Sequence, residues 1–339
     1  MQTTKPFPAL PMSRRAFSAS LVLALGGLAA GCGRQSDRNT LRIGDQGKVL
    51  ELPLQLAGQA ANPPRPFEFT TFTDGPNMNA AFLAGALDVG MMGDTPALFA
   101  SAAGADVVAI AAGRTPPNTY LQIVARPGSG ITSLQDLRGK RVAFTKSTAL
   151  HGYLLLSLER AGLTQADITP IDIPIVSLAK PLETGDADAS LLGGPVLTNY
   201  LEHNPGARLI EAPDPGYTLI LASRRSIENA GIRAALVDFS RRSARAGLWI
   251  TANPDIWGKH YYEGVLHQDP ATAKALIERQ GKHRLFFAQV QNDAREHLQR
   301  QATALAKAGL LPEADATVAR LFDPAINQEF NKVIEEAAA

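Results

Sequence analysis

FEFTTFTDGPNMNAAFLAGALDVGMMGDTPALFASAAGADVVAIAAG, residues 67–113, carries few charges and is punctuated by Gly and Pro at interpretable places. Phe67 to Phe72 is rich in aromatic and branched side chains, which favours a strand. Asp74-Gly75-Pro76 interrupts it: Pro suits the first turn of a helix, where its missing N–H has no partner, and Asp can cap the free amides. Met78, Ala81 and Phe82 then share a helical face, and Gly85 supplies a left-handed stop. Leu87 to Met92 reads as a second strand. Gly93-Asp94-Thr95-Pro96 repeats the device, with a hydroxyl or carboxyl cap and a Pro opening a helix that Gly104 closes, and Asp106 to Ala112 is a third strand. Strand, helix, strand, helix, strand with short connections predicts parallel strands and right-handed crossovers. Both helices would then open at the carboxyl ends of the strands, where free N–H groups suit an anion.

Upstream, Ser13-Arg14-Arg15-Ala16-Phe17 precedes an apolar run from Leu21 to Ala30, too short for an ordinary membrane span. Paired Arg before such a run looks like a twin-arginine export signal. The single cysteine, Cys32, ends Leu28-Ala29-Ala30-Gly31-Cys32, which resembles a bacterial lipoprotein cleavage box, although Ala29 stands where that box prefers Leu. Residues 1–32 are therefore read as an export signal with a lipid anchor at Cys32, a plain signal-peptidase site being the alternative. Residues 1–31 hold Lys5, Arg14 and Arg15 and no acid, so their removal lowers the formal charge from +1 by three, to −2. That balance offers no basic field for nucleic acid.

Downstream, Leu41 to Gly44 reads as a strand, Asp45-Gln46-Gly47 as a turn, and Tyr120 to Ala125 as a segment leaving the first lobe. Ser133 to Leu137 makes a short capped helix, Arg141 to Phe144 a strand, and Thr145 to Thr148 the approach to a helix from Ala149 to Ala161. Gly85, Asp88 and Gly93 recur 100 positions later as Gly185, Asp188 and Gly193, so the second lobe echoes the first. Tyr217 to Ser223 is a strand that returns to the first lobe, and long helices follow: Ala230 to Ile250, Pro270 to Arg279, Asn292 to Ala308 and Pro324 to Ala338. The expected fold is α/β with two lobes, 33–125 with 222–339 and 126–221. Each would be a mainly parallel sheet flanked by helices, joined by a two-strand hinge. With 45% hydrophobic residues and no cysteine beyond Cys32, packing and not disulfides must hold the lobes.

The residues show no catalytic constellation, phosphate-binding loop or metal-ligand spacing. His151, His203, His260, His267, His283 and His297 are scattered, and His260 and His267 beside Tyr261, Tyr262 and Glu263 read as a solvated helix end. The chain thus reads as a binder with no catalytic residue, metal or cofactor. Candidate ligand contacts come from the loops at strand ends: Gln46, Gly47, Asp74, Gly75, Asp94 and Thr95 in one lobe, and Ser147, Thr148, His151, Gly193 and Gly194 in the other. Asp94 would repel a bare anion, so it is read as facing its own helix end or holding an amine on the ligand. Arg114, Lys146 and Lys180 are the candidate counter-charges.

Several segments together resemble a known family: Arg42-Ile43-Gly44-x-Gln46, Gly75-Pro76, Gly93-Asp94-x-Pro96 with Ala102-Ala103-Gly104-Ala105-Asp106, Leu137-x-Gly139-Lys140-x-Val142-Ala143, His151, and Ala161-Gly162-Leu163. The chain resembles periplasmic solute-binding proteins of ABC importers, in the group that takes aliphatic sulfonates, taurine and nitrate. The resemblance implies a type II-like periplasmic-binding-protein fold, closure on a small anionic organic ligand, delivery to a permease in the inner membrane, and no catalysis. It also implies that groups near Gln46, Gly75, Thr95, Ser147 and Thr148 hold sulfonate oxygens. Relatives usually carry a Trp-Asp-Pro segment where this chain has Leu192-Gly193-Gly194-Pro195, leaving room for a different organic group. Nitrate, aromatic carboxylates and vitamin-like pyrimidines are alternative ligands on this fold. A desulfinase on it would need a cysteine nucleophile, and the sole cysteine sits in the export signal.

Overall fold

The computed structural model describes residues 39–117, 119, 121–210, 214–280 and 285–339. The export signal and Cys32 lie outside the described residues, as do Asn118, Tyr120 and His283. The first lobe opens with β1 (Leu41–Gln46), α1 (Glu51–Leu56), β2 (Phe67–Phe72), α2 (Gly75–Leu83), β3 (Val89–Gly93), α3 (Asp94–Ala102) and β4 (Val107–Thr115). β1 runs parallel to β2, with Leu41 opposite Phe67 and Gln46 opposite Phe72, and parallel to β3. The second lobe holds β5 (Leu121–Ala125), β6 (Arg141–Phe144), α4 (Ala149–Arg160), β7 (Thr169–Asp172), α5 (Lys180–Thr184), β8 (Ala189–Gly193), α6 (Gly194–His203) and β9 (Arg208–Ile210). The chain returns through β10 (Gly216–Ser223) to α7 (Arg224–Glu228), α8 (Ala230–Ala252) and α9 (Pro254–Gly258). A π-helical turn at Lys259–Val265 precedes α10 (Pro270–Gln280), β11 (Leu285–Ala288), α11 (Asn292–Lys307), α12 (Ala314–Leu321) and α13 (Pro324–Ala338).

The two sheets share one plan. In the first the order is β11-β4-β10-β3-β1-β2, and in the second β7-β6-β8-β5-β9. Reading the second backwards, β9, β5, β8, β6 and β7 take the places of β4, β10, β3, β1 and β2. In both, the strand arriving from the other lobe lies antiparallel to its two neighbours: β10 to β3 and β4, β5 to β8 and β9. The sheets are therefore mixed, where mainly parallel ones were expected. The strand–helix–strand units supply the parallel pairs, and each crossing strand enters from the hinge edge and must run the opposite way. By sheet membership β5 stands in the second sheet and β10 in the first, one strand away from the expected crossings at 125 and 221.

The sequence echo has a physical counterpart. Asp88 accepts from the Arg42 backbone N–H (2.9 Å) and side chain (Nη2 2.6 Å), while Arg42 Nη1 donates to Gly85 O at 2.9 Å. Asp188 does the same with Arg141 N (3.0 Å) and Nη2 (2.9 Å), and Arg141 Nη2 donates to Gly185 O at 2.7 Å. Each clamp fastens the loop after a helix to the start of the neighbouring strand. Gly85 and Gly185, at φ +67° and +79°, turn their carbonyls toward the guanidinium in a conformation that L side chains seldom adopt.

Helices cover both faces of the first sheet. One core gathers Met78, Leu98, Leu298 and Leu305, the other Leu41, Ile43, Phe239 and Phe330. The second lobe's core is built on Phe144, Leu154 and Leu191. α4 belongs to two cores: Leu150, Tyr153, Leu154 and Leu158 pack in the second lobe, whereas Leu155 and Leu156 join the first. Among the described residues no helix is long and apolar enough to cross a membrane.

Burial pushes the Asp88 carboxyl up, but hydrogen bonds from Arg42 and Ser226 outweigh it and hold the group below the usual range. Its contribution is then present at neutral pH and is lost as pH falls through that depressed folded value. Asp88 is 2% exposed, so Asp88→Ala should lower the urea unfolding free energy by about 3 kcal/mol at pH 7, with wild type and variant converging in acid.

Candidate functional site: the edge where the lobes meet

β1 delivers Gln46 and Gly47 to the shared edge. Asp45, just before them, is buried and accepts from Leu50 N (3.1 Å) and Glu51 N (2.9 Å), so it starts α1. Burial pushes its carboxyl up to about 6, against the opposing pull of those amides. Gln46 Nε2 is buried and has no hydrogen-bond partner among the described residues. It lies 3.8 Å from where a Cβ on Gly75 would sit, and that Cβ would collide with Pro96. Gln46, Gly75 and the start of α3 thus form one corner. Asp74 caps α2 by accepting from Asn77 N at 2.9 Å.

The start of α3 differs from expectation. Gly93 is the cap position, with no side-chain cap bond, and Asp94 is already helical. The Asp94 carboxylate is 3% exposed and turned inward. It accepts from Thr95 N at 2.7 Å and Tyr217 N at 3.4 Å, and lies 3.0 Å from His297 Nε2. Of its two expected roles, serving its own helix end is the one seen. Thr95 is fully buried and its hydroxyl abuts Gly152 of α4, so it is a contact between lobes.

In the second lobe, Ser147 adopts φ +60°, a region rare for residues other than Gly. Its N–H donates to His151 Nδ1 at 3.3 Å, and His151 Nε2 meets Gln165 Oε1 at 3.0 Å. Burial holds the His151 pKa below its ordinary value. A neutral ring with Nε2–H donating and Nδ1 accepting fits both contacts. His151, 1% exposed, braces the loop from behind. Thr148 Oγ1 donates to Thr145 O at 2.7 Å, so this hydroxyl is also engaged locally. α4 and α6 open after Thr148 and Gly193, and neither has a side-chain cap hydrogen bond. Gly194, at φ +53°, begins α6.

The starts of α3 and α4 meet, and of the predicted contacts Asp94 borders a cavity beside them while Gln46, Gly75, Ser147 and Gly193 do not line it. A Cβ on Gly93 would approach the Ala149 Cβ to 3.2 Å, so the starts of α3 and α4 nearly touch. Gly193 lies opposite Leu121 in the second sheet. The cavity, of about 90 Å³, is bordered by Gly93, Asp94, Leu121, Ala149, Tyr153 and Tyr217. The proposed counter-charges each stand beside an acid: Arg114 by Asp293 (3.8 Å), Lys146 by Asp172 (3.6 Å) and Lys180 by Glu183 (3.3 Å). Among the described residues no group of three or more His, Cys, Asp or Glu could hold a metal ion.

Two features were not foreseen. His297 underpins Asp94 and packs against Tyr217 with ring centroids 4.9 Å apart and planes tilted by 41°; a lone His in an amphipathic helix gave no signal for this. His260 and His267 are exposed, as a solvated helix end requires, but the tyrosines beside them are not part of it: Tyr262 is buried and Tyr261 reaches Gly47. The Trp257-x-x-x-Tyr261 spacing was the available clue.

Residues 59–255, more than half of the chain, match the family described as "ABC transporter, phosphonate, periplasmic substrate-binding protein". The chain belongs to that family. Over 234 residues this substrate-binding protein is 32% identical to a "Putative aliphatic sulfonates-binding protein" of Escherichia coli (strain K12), covering 66% of the chain and 73% of the relative. It superposes on the periplasmic aliphatic sulphonate binding protein SsuA from Escherichia coli with a TM-score of 0.69 at 25% identity, covering 85% of this chain and 93% of that one. The alkanesulfonate-binding protein SsuA from Xanthomonas axonopodis pv. citri, bound to MOPS, gives 0.71 at 24% identity, covering 85% and 99%, a likeness of fold.

In this binding protein Gly152 marks a close approach at the seam, because a Cβ there would strike the Thr95 hydroxyl and the Gln301 side chain. Gly152→Ala should cost about 1–3 kcal/mol of stability, read as a lowered thermal midpoint, although Ala is the better helix former.

Proposed function

We propose that this protein captures an organosulfonate between its two lobes and hands it to the permease of an ABC importer. One observation carries the reading. The helices α4 and α6, 12 and 10 residues long, open at the shared edge with no side-chain cap, while the facing lobe offers the unpartnered Nε2 of Gln46. Uncapped amides at helix starts suit an anion, each terminus contributing about 0.3–1 kcal/mol. A tetrahedral sulfonate has three oxygens to share among donors from both lobes. The sulfonate-binding names of the relatives support the same class.

The contacts we assign are Gln46, Gly47 and Gly75 from the first lobe, and Ser147, the start of α4, Gly193 and Gly194 from the second. Asp94, Thr95 and His151 act behind them, holding the helix starts and the Ser147 loop. Lys146 and Lys180 sit in exposed pairs with their own acids, whereas Arg114, 3.8 Å from Asp293, has a buried Nε with no hydrogen-bond partner among the described residues. We therefore assign the hold on the ligand chiefly to dipoles and hydrogen bonds, with Arg114 as the candidate counter-charge. We read the protein as a carrier and not a catalyst, its only cysteine lying in the N-terminal segment. Arg14-Arg15 and the run ending at Cys32 support export by the twin-arginine route and a lipid anchor at the outer face of the cytoplasmic membrane.

Thermal-shift measurements with ethanesulfonate, taurine, sulfate, nitrate and benzoate test this. Sulfonates should raise the midpoint, since a ligand at one hundred times its Kd adds about 2.7 kcal/mol of stability. A rise with nitrate or benzoate alone would contradict the ligand class. Gln46→Ala should weaken the sulfonate at least about tenfold, as one hydrogen bond to a charged group is worth about 1.5–3 kcal/mol.

A further inference from the structure

Over the end of β1 stands an aromatic side chain that the strand–helix plan does not require. A Cβ on Gly47 would lie 3.4 Å from Tyr261 Oη, so the phenol reaches over the loop that also presents Gln46. The ring is held in place: it stacks on Trp257 with centroids 4.4 Å apart and planes 11° from parallel, and it meets Tyr262 edge-on at 5.1 Å. Trp257 and Tyr262 are buried with Ile250, Ala273 and Leu276, whereas Tyr261 itself is half-buried. The mounting is the π-helical turn Lys259–Val265, a rare local geometry that occurs often at functional sites.

The segment after this turn touches the other lobe. Asn199 of α6 donates through Nδ2 to Gln268 Oε1 at 3.3 Å, and Thr272, whose hydroxyl donates to Asp269 Oδ2 at 2.7 Å, lies 3.4 Å from Glu202 Oε2. Tyr261 thus stands over the end of β1 on a segment that, seven residues further on, touches α6. The second-lobe loop at Leu192-Gly193-Gly194-Pro195 has no aromatic of its own.

Building on the organosulfonate reading, we infer that Tyr261 is the wall against which the ligand's organic group packs, and that it makes the site prefer a sulfonate on a planar aromatic group to one on a short alkyl chain. A ring already fixed by Trp257 loses little freedom when a ligand settles on it. An aromatic partner gains from offset or edge contact beyond its buried area, whereas ethyl offers neither the area nor the quadrupole.

Calorimetric titration of the mature protein with benzenesulfonate and with ethanesulfonate tests this. Wild type and Tyr261→Phe should prefer benzenesulfonate. Tyr261→Ala should weaken benzenesulfonate about tenfold and ethanesulfonate less than about threefold. Tyr261→Leu, which keeps apolar bulk without a ring, should behave like the Ala variant and decides the matter if Tyr261→Ala melts below the working temperature without ligand. Equal losses for both ligands, or a wild type that prefers ethanesulfonate, would overturn the role of Tyr261 and leave the sulfonate reading standing. Binding of neither ligand by wild type would overturn the sulfonate reading and this inference with it.

Discussion

The close approach of α4 to the first lobe at Gly152 is the constraint on which the rest of the structure depends. Without a side chain there, the helix lies against the Thr95 hydroxyl and Gln301 at a separation that a Cβ would not permit. Beyond that point α4 divides its apolar residues, Leu155 and Leu156 entering the first core and Leu154 and Leu158 the second. Arg160 adds a paired contact to buried Asp214, Nε at 2.7 Å and Nη2 at 2.9 Å, on the connection leading into β10. The start of α4 is thereby fixed beside the start of α3. The relative placement of these two helix starts is set by the packing of α4 on the first lobe.

The two lobes solve the same problem twice. Each takes a parallel strand–helix–strand unit, fastens it with an Arg–Asp clamp and accepts one antiparallel strand from its partner. Asp188, less enclosed than Asp88, is held at about 2 chiefly by the Arg141 side chain. The exchange of β5 and β10 brings the carboxyl edges together, since Gly93 lies opposite Thr218 and Gly193 opposite Leu121. Equivalent helix starts, α3 and α6, then face one region from opposite sides.

Much of this was legible because local rules and tertiary demands coincide. The Asp74-Gly75-Pro76 start of α2 was read from cap and Pro chemistry and appears as written, with Asp74 accepting from Asn77 N. The repeat of Gly85 and Asp88 at Gly185 and Asp188 marked the second lobe, although nothing in the spacing showed that Arg42 and Arg141 complete the clamps. Where distant contacts contribute, the sequence was incomplete. Asp94 serves its own helix end as one of its two readings had it, but nothing local showed that Tyr217 and His297, more than a hundred residues away in sequence, would join it. Thr95 and His151 are buried, at 0% and 1% exposure, which their positions at strand ends did not show. The packing of Tyr261 on Trp257 was not read from the sequence, where the π-helical turn that carries it leaves no local signal.

The central claim is that one sulfonate is held jointly by the uncapped helix starts of one lobe and the Gln46 corner of the other. A crystal structure of the mature protein with benzenesulfonate tests it most directly. The account predicts sulfonate oxygens within about 3 Å of backbone amides at the starts of α4 or α6 and of Gln46 Nε2, with the organic group directed toward Tyr261. A sulfonate touching a single lobe, or seated away from the edge between Gly93 and Ala149, would contradict it.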